Sequence, residues 1–468
     1  MLNANSNYNM VSIILLTSFG ILNLFLGFLK SNRILLPLAL LFLIIVLGAN
    51  LADWNQTESY FNNMLTVDNF AVAFTSVVVL TSLLILPFST RYIRLNDDNL
   101  AEYFALILFS LVGAVMMVAY ENMLMLFIGI EILSISMYVL AGSEKRSLRS
   151  NEAALKYFLM GSFTTGILLF GIALIYGATG TFYITEISAA ANTGTTDMSP
   201  MLGLGLLLVL IGISFKVSAA PFHFWTPDVY EGTPAIFTGF MSTVVKVAGF
   251  AAFYKLLSVS FAGAYSFWFP TLVAMTVITL VIGNIAAAAQ DSFKRMMAYS
   301  SISHAGYLML ALLALNSRSE NAIFFYSLAY SVATVAAFGI LKIVSDQREG
   351  DESYAAFNGL SRTNPLLAFA MTVSMLSLAG IPLTGGFFGK FFIFGSVLEK
   401  DLLWLVVVGI LMSMVGIYYY FRVVIAMYMR EPSGERLEVD AFTTFTLIFI
   451  AVLTIVLGIF PGLFSDIL

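Results

Sequence analysis

The chain is a succession of apolar runs separated by short polar punctuation, and within the runs the apolar positions do not alternate as those of a half-buried strand do. Each run is long enough to be a spanning helix, which takes roughly 20 mostly apolar residues. Open sheets leave backbone groups unpaired in lipid, whereas a helix satisfies them internally. The pattern therefore predicts an all-α polytopic membrane protein of fourteen transmembrane helices, over 10–29, 34–51, 68–88, 101–119, 122–141, 152–177, 201–229, 233–257, 266–289, 295–315, 320–345, 364–398, 402–429 and 441–464. The first run follows a polar, uncharged start (MLNANSNYNM) and exceeds the core of a signal peptide, so it is read as a span.

Two runs are too long for one straight helix. At about 1.5 Å per residue, 201–229 would extend about 44 Å and 364–398 about 52 Å. Each holds a proline among small residues, SAAPFHFWTPD around Pro221 and LAGIPLTGGFFG around Pro382. Proline removes a backbone donor and clashes with the preceding turn, so two discontinuous helices are expected rather than simple kinks. The breaks lie five spans apart, an odd number, which inverts one unit relative to the other. Inverted repeats with broken helices near the midplane characterise secondary transporters. The expected division is three N-terminal helices (1–97), a first five-helix repeat or half-channel (98–258), a second (259–430) and a C-terminal helix (431–468). No identity between the repeats is obvious by eye, so the division rests on topology.

Composition narrows the classes. Only 10% of the 468 residues are charged and 60% are hydrophobic, where soluble proteins carry about 25% charged residues. A water-soluble globule, a disordered chain and a nucleic-acid binder, which needs a basic surface, are excluded. With no cysteine, a disulfide frame, thiolate metal site or iron–sulfur cluster has no ligands. Walker, Rossmann and nucleophile-triad patterns are missing too, so energy must come from a partner or an ion gradient.

Charge placement then orients the chain. Lys30, Arg33, Arg91, Arg94, Lys145, Arg146, Arg149, Lys294, Arg295, Arg348, Arg362, Arg430 and Arg436 fall in one set of alternate loops, and only Arg318 and Lys400 in the other. Basic residues concentrate in cytoplasmic loops, which predicts both termini on the outer side.

Seven basic residues remain inside spans: Lys156, Lys216, Lys246, Lys255, Lys342, Lys390 and Arg422. Lys156, Lys255 and Lys342 lie near span ends; for Lys156 and Lys255 snorkelling to the headgroups is expected. Arg422 is left open. Glu131 lies at mid-depth of the fifth span, and Lys246 in the middle of the eighth among Val, Gly and Ala. Lys216 precedes the Pro221 break by about a turn, and Lys390 follows the Pro382 break by two. Desolvation disfavours the charged form of an ionisable group, so residues so placed are poised to load and release a proton. The rival is a set of ion pairs that lock helices together. Three lysines against one central glutamate leave excess positive charge that such a lock would avoid, and proton translocation is the reading taken. His223 lies inside the first break and His304 in the polar run SSISHAGY; relay roles and satisfied core histidines both stay open. Ser300, Ser301 and Ser303 hydrate the same path or simply pack. Asp228 and Glu231 are read as solvated charge of a short cytoplasmic turn.

Four segments carry a family resemblance: GISFKVSAAPFHFWTPDVYEGTPA (212–235), FMSTVVKVAGF (240–250), FKRMMAYSSISHAGY (293–307) and LSLAGIPLTGGFFGKFFIF (376–394). From about residue 100 to 430 the chain resembles the antiporter-like subunits of respiratory complex I, which are similar to Mrp-type cation/proton antiporters. Lysine at 390, no His-Ala-Ala pattern in span eight and no lateral helix after span fourteen point to one branch of that family. EGTPAIFT has one proline fewer than the usual motif, and Leu383 stands where a second proline is common.

The resemblance implies that Glu131 and Lys216 pair in the first half-channel, Lys246 connects, Lys390 ends the second half-channel and His304 bridges. It implies no cofactor in this chain, with FMN and iron–sulfur clusters in partner subunits and quinone as substrate of the complex. It further implies other membrane subunits as partners, antiporter-like and small hydrophobic, in a bacterial inner membrane. The rivals are an Mrp-type cation/proton exchanger and a purely structural scaffold.

Overall fold

The computed structural model describes residues 11–28, 32–89, 99–191, 199–465 and 467–468. The decapeptide before Val11, Lys30, Arg91 and Arg94 lie outside the described residues.

In chain order the helices are α1 (Val11–Leu26), α2 (Leu35–Ala52), α3 (Asn69–Ile85), α4 (Leu100–Ala119), α5 (Met123–Ala141), α6 (Leu148–Thr179), α7 (Ile184–Ala191), α8 (Pro200–Lys216) and α9 (Trp225–Gly232). They continue as α10 (Ala235–Ser260), α11 (Tyr265–Ala288), α12 (Phe293–Ala314), α13 (Ser319–Gln347), α14 (Pro365–Ala379), α15 (Gly385–Leu398), α16 (Leu403–Met429) and α17 (Ala441–Ile459). Among the described residues eleven helices are long and apolar enough to cross a membrane, and α1, α8, α14 and α15 are shorter apolar helices. One small antiparallel hairpin, Glu58–Tyr60 with Leu65–Val67, joins α2 to α3 with Ser59 opposite Thr66.

The helices start where short polar side chains satisfy the free N–H groups of a first turn. Asp68 accepts from Ala71 N at 2.8 Å before α3, Asn122 from Leu124 N at 2.9 Å before α5, and Asp440 from Thr443 N at 2.9 Å before α17. Ser147, Ser199 and Ser292 do the same for α6, α8 and α12.

The two long runs are split. The first is α8, an irregular stretch holding Ser218 in the left-handed region (φ +63°), and α9. The second is α14 and α15, parted by Gly380 (φ +83°) and Leu383 (φ +71°). Proline is held near φ −65°, so the backbone at Leu383 is one that a proline there could not adopt.

The interior is built around α10 and α13, whose most apolar windows are wholly buried, and α12, at 94%. By contrast α2, α6 and α16 present most of their surface outward, with such side chains as Phe163, Met414 and Tyr418 exposed. In α10 the helix widens into π turns at Met241–Val245 and Leu256–Ser260, on either side of the α-helical stretch Lys246–Lys255. Such turns recur at functional positions.

Candidate functional site

Lys216 is the last residue of α8, and its side chain is buried with the residue 5% exposed. It donates to Ser134 Oγ on α5 at 2.6 Å. Glu131 lies on the same face of α5, three residues earlier, but is only half-buried. Among the described residues it forms neither a hydrogen bond nor an ion pair. The implied Glu131–Lys216 pair is therefore open, with the ammonium on a neutral hydroxyl. The floor is aromatic: Tyr157 of α6 has its ring centre 6.0 Å from Lys216 Nζ and stacks on Trp225 at 4.7 Å. Trp225 Nε1 donates to Phe215 O at 3.1 Å, a carbonyl that also accepts from Ser218 N at 3.0 Å. His223 is buried in this break with Nδ1 unpartnered. Among the described residues no hydrogen bond connects it to the lysines.

Lys246 is 2% exposed and donates to the Ser301 carbonyl of α12. That helix brings Ser300, Ser301, Ser303 and His304 inside, all buried. Around them stand tyrosines of α13 and α16. Tyr330 donates to Ser301 Oγ at 3.2 Å. His304 Nδ1 meets Tyr326 OH at 2.6 Å, and Nε2 meets Tyr420 OH at 2.9 Å. Tyr420 OH is also bonded to Ser300 Oγ. Tyr419 OH donates to Asn284 Oδ1 of α11 at 3.2 Å.

Lys390, 6% exposed, is caught by the second break. It donates to Ala379 O at 2.9 Å, Leu378 O at 3.3 Å and Ser413 Oγ at 2.8 Å, and lies 4.7 Å from the Tyr307 ring centre. The two carbonyls are orphans of the last turn of α14, the negative end of its dipole. Gly380 permits this grip: its φ is +83°, and a Cβ there would meet Lys390 Cδ at 2.9 Å.

The remaining basic residues of the spans behave differently. Lys255 does not reach toward the headgroups as expected; it is buried and paired with Glu121 at 2.7 Å, because the start of α5 offers a carboxylate nearer than water. Lys342 pairs with Asp346 one turn away. Lys156 holds Glu152 and Asp228, each at 2.8 Å. Asp228 and Glu231 are not free solvated charge either, for Arg295 binds them at 3.1 and 2.6 Å. This network ties α9 to α6 and α12. Arg422 donates to Ala288 O and Gln290 O at 3.2 and 2.9 Å, anchoring the end of α11. Lys216, Lys246 and Lys390 thus stand apart as deeply buried lysines that form no ion pair among the described residues. Ser134 and Ser413, whose hydroxyls hold Lys216 and Lys390, and the tyrosines of α13 and α16, which bond side chains of α12, were not singled out from sequence.

A multi-pass helical membrane protein with two broken helices and deeply buried lysines that form no ion pair among the described residues belongs to the class of ion-translocating membrane subunits. The family model described as NADH:quinone oxidoreductase/Mrp antiporter, TM, matches residues 121–416, and the chain belongs to that family. NADH-quinone oxidoreductase subunit N of Cytophaga hutchinsonii is 42% identical over 461 residues, covering 98% of this chain and 99% of that protein. Its counterpart in Flavobacterium psychrophilum is 39% identical, with 97% and 99% covered. The branch to which Lys390 and the span-eight pattern pointed is therefore the one these relatives are named for. Among solved structures, a chain of respiratory complex I from Thermus thermophilus superposes with a TM-score of 0.84 at 32% identity, covering 97% of this chain and 98% of that one. A chain of the Mrp complex from Dietzia gives 0.88 at 20% identity, covering 100% and 96%, a likeness of fold alone.

Proposed function

We propose that this chain is a proton-translocating membrane subunit of an NADH:quinone oxidoreductase, without a redox centre of its own. The observation that carries the reading is that among the described residues Lys216, Lys246 and Lys390 form no ion pair, set against the carboxylates that hold Lys156, Lys255, Lys294 and Lys342. A lysine kept only for stability is matched by a carboxylate, because an unpaired buried charge is costly. A lysine that must take up and give back a proton is better served by neutral acceptors.

In this reading residues 98–258 and 259–430 are two inverted half-channels, flanked by the helices of 1–97 and 431–468, making fourteen spans with both termini outside the inner membrane. Closing Glu131 on Lys216 stabilises the ammonium. Opening the pair leaves it on Ser134 and sends the proton toward Lys246, His304 and Lys390, with His223 as a side relay at the first break. Electron transfer from NADH to quinone, through FMN and iron–sulfur centres, belongs to partner subunits, and changes at their contacts drive the Glu131–Lys216 pair.

The test is proton pumping by the whole complex in inverted membrane vesicles. Replacing Lys216 or Lys390 by Ala is expected to lower the protons moved per NADH oxidised, and unchanged pumping in both variants would falsify the assignment. Exchange of Na⁺ or K⁺ for protons by the purified chain in liposomes, with no electron donor, would favour the antiporter alternative instead.

A further inference from the structure

A cavity of about 490 Å³ lies between the start of α13 and the last turns of α15, within the roughly 300–1,000 Å³ of small-molecule sites. Ser317, Arg318 and Asn321 form one side, and Phe391, Phe392 and Gly395 the other. Ser317, Arg318 and Phe391 are exposed, so the cavity is open both at its polar rim and along its apolar wall. We propose that it binds one phospholipid of the ethanolamine type. The phosphate rests on Arg318, the ammonium reaches Glu399 just beyond the rim, and an acyl chain lies along α15.

The wall is graded along the helix. Phe391, Gly395 and Glu399 follow one another at spacings of four, so they fall in one line on its surface. At about 1.5 Å per residue, about 12 Å of helix separates the ring from the carboxylate. Phe392, beside this line, is held edge-on by Phe325 with ring centres 5.1 Å apart. At Gly395 a Cβ would meet no atom within 4 Å among the described residues. The line therefore runs from ring to gap to carboxylate, which makes an apolar slot with a charged end.

That end carries both signs. Arg318 Nη1 pairs with Glu399 Oε1 at 2.8 Å. Asn316 Nδ2 donates to Glu399 Oε2 at 3.1 Å and to Ser396 O at 2.8 Å, which fixes the carboxylate against the end of α15. Arg318 is also one of only two basic residues in its set of loops, so the cation is out of place by the general charge pattern and has a local reason to be there. An exposed ion pair contributes little by itself, and it opens readily to admit a headgroup that offers each partner an opposite charge. A guanidinium suits phosphate, which it binds through two parallel N–H groups. A primary ammonium donates hydrogen bonds to the carboxylate, and a quaternary one has none to donate. A headgroup without a cation would set its phosphate against Glu399 with nothing between them.

The test places the photoreactive benzoylphenylalanine at position 391 of the whole complex. The complex is held in nanodiscs of equal parts phosphatidylethanolamine, phosphatidylcholine and phosphatidylglycerol, and the adducts are identified by mass spectrometry. The ethanolamine lipid is expected to be enriched about threefold over each of the others, the scale of one partly exposed charge pair. Glu399→Gln should remove that enrichment, and Gly395→Leu, which fills the slot, should remove most of the lipid adduct. Adducts in the proportions of the bilayer would show bulk lipid only and overturn the site. Adducts to a peptide of a partner subunit would show that protein covers the cavity, and they overturn it equally. Should the chain labelled at 391 not assemble, the same probe at Ser317 reads the rim, with the same enrichment expected and the same two outcomes against it.

Discussion

Lys216 and Lys255 are lysines of similar burial with opposite fates. Lys255 closes on Glu121 at 2.7 Å, and Lys216 rests on a serine hydroxyl. Removing one partner of a buried pair strands the other charge, at a cost of about 3–5 kcal/mol. Lys255→Met is therefore expected to lower the thermal stability of the complex and its level in the membrane, and adding Glu121→Gln should recover most of the loss. A melting curve of the purified complex checks this. The protons moved per NADH by whatever assembles should stay at the wild-type value. At this scale the sequence disclosed the lysines, because an ionisable residue in an apolar run is conspicuous. It did not disclose their acceptors. Serine, threonine and tyrosine are scattered through the spans, and many serines and threonines only bond their own helix backbone, as Thr81 does to Val77 O.

At the scale of elements, the two breaks convert helix ends into ligands for lysine. The second depends on close backbone approach at Gly386, where a Cβ would lie 1.8 Å from Ser377 O, while Gly386 N donates to Ser377 Oγ at 3.1 Å. Gly386→Ala must push α15 away from the end of α14 and loosen the carbonyl grip on Lys390. The variant is expected to accumulate poorly, or to assemble with strongly reduced pumping; normal assembly together with normal pumping would show that the approach is dispensable. The breaks were legible because length and proline placement are properties of a single run. The hairpin at Glu58–Val67 and the short α7 were not, since a few residues of strand or two turns of helix leave too little periodicity to read.

Over the whole molecule, the network of Lys156, Asp228, Glu231 and Arg295 joins α6, α9 and α12, so the half-helix beyond the first break is tied to the helix that carries His304. The proposed orientation follows from where the basic loops lie, and it can be read directly because the chain has no native cysteine. Ser433→Cys should react with an impermeant thiol reagent only from the cytoplasmic side, and Ser317→Cys only from outside; the reverse pattern would invert the proposed topology.

Depth in the membrane is a one-dimensional property. Counting along each apolar run was enough to expect Glu131, Lys216 and Lys246 near its middle and Lys390 two turns past a break, and to recognise the protein class. Pairing is three-dimensional. Lys216 meets Ser134 across 82 residues, and Lys246 meets Ser301 across 55. His304 meets Tyr420 across 116. Only the packing of α5, α8, α10, α12, α13 and α16 decided which lysines have carboxylates and which have hydroxyls and carbonyls. The reason is that a side chain's depth is set by its own helix, while its partner is set by the neighbouring helix that happens to face it.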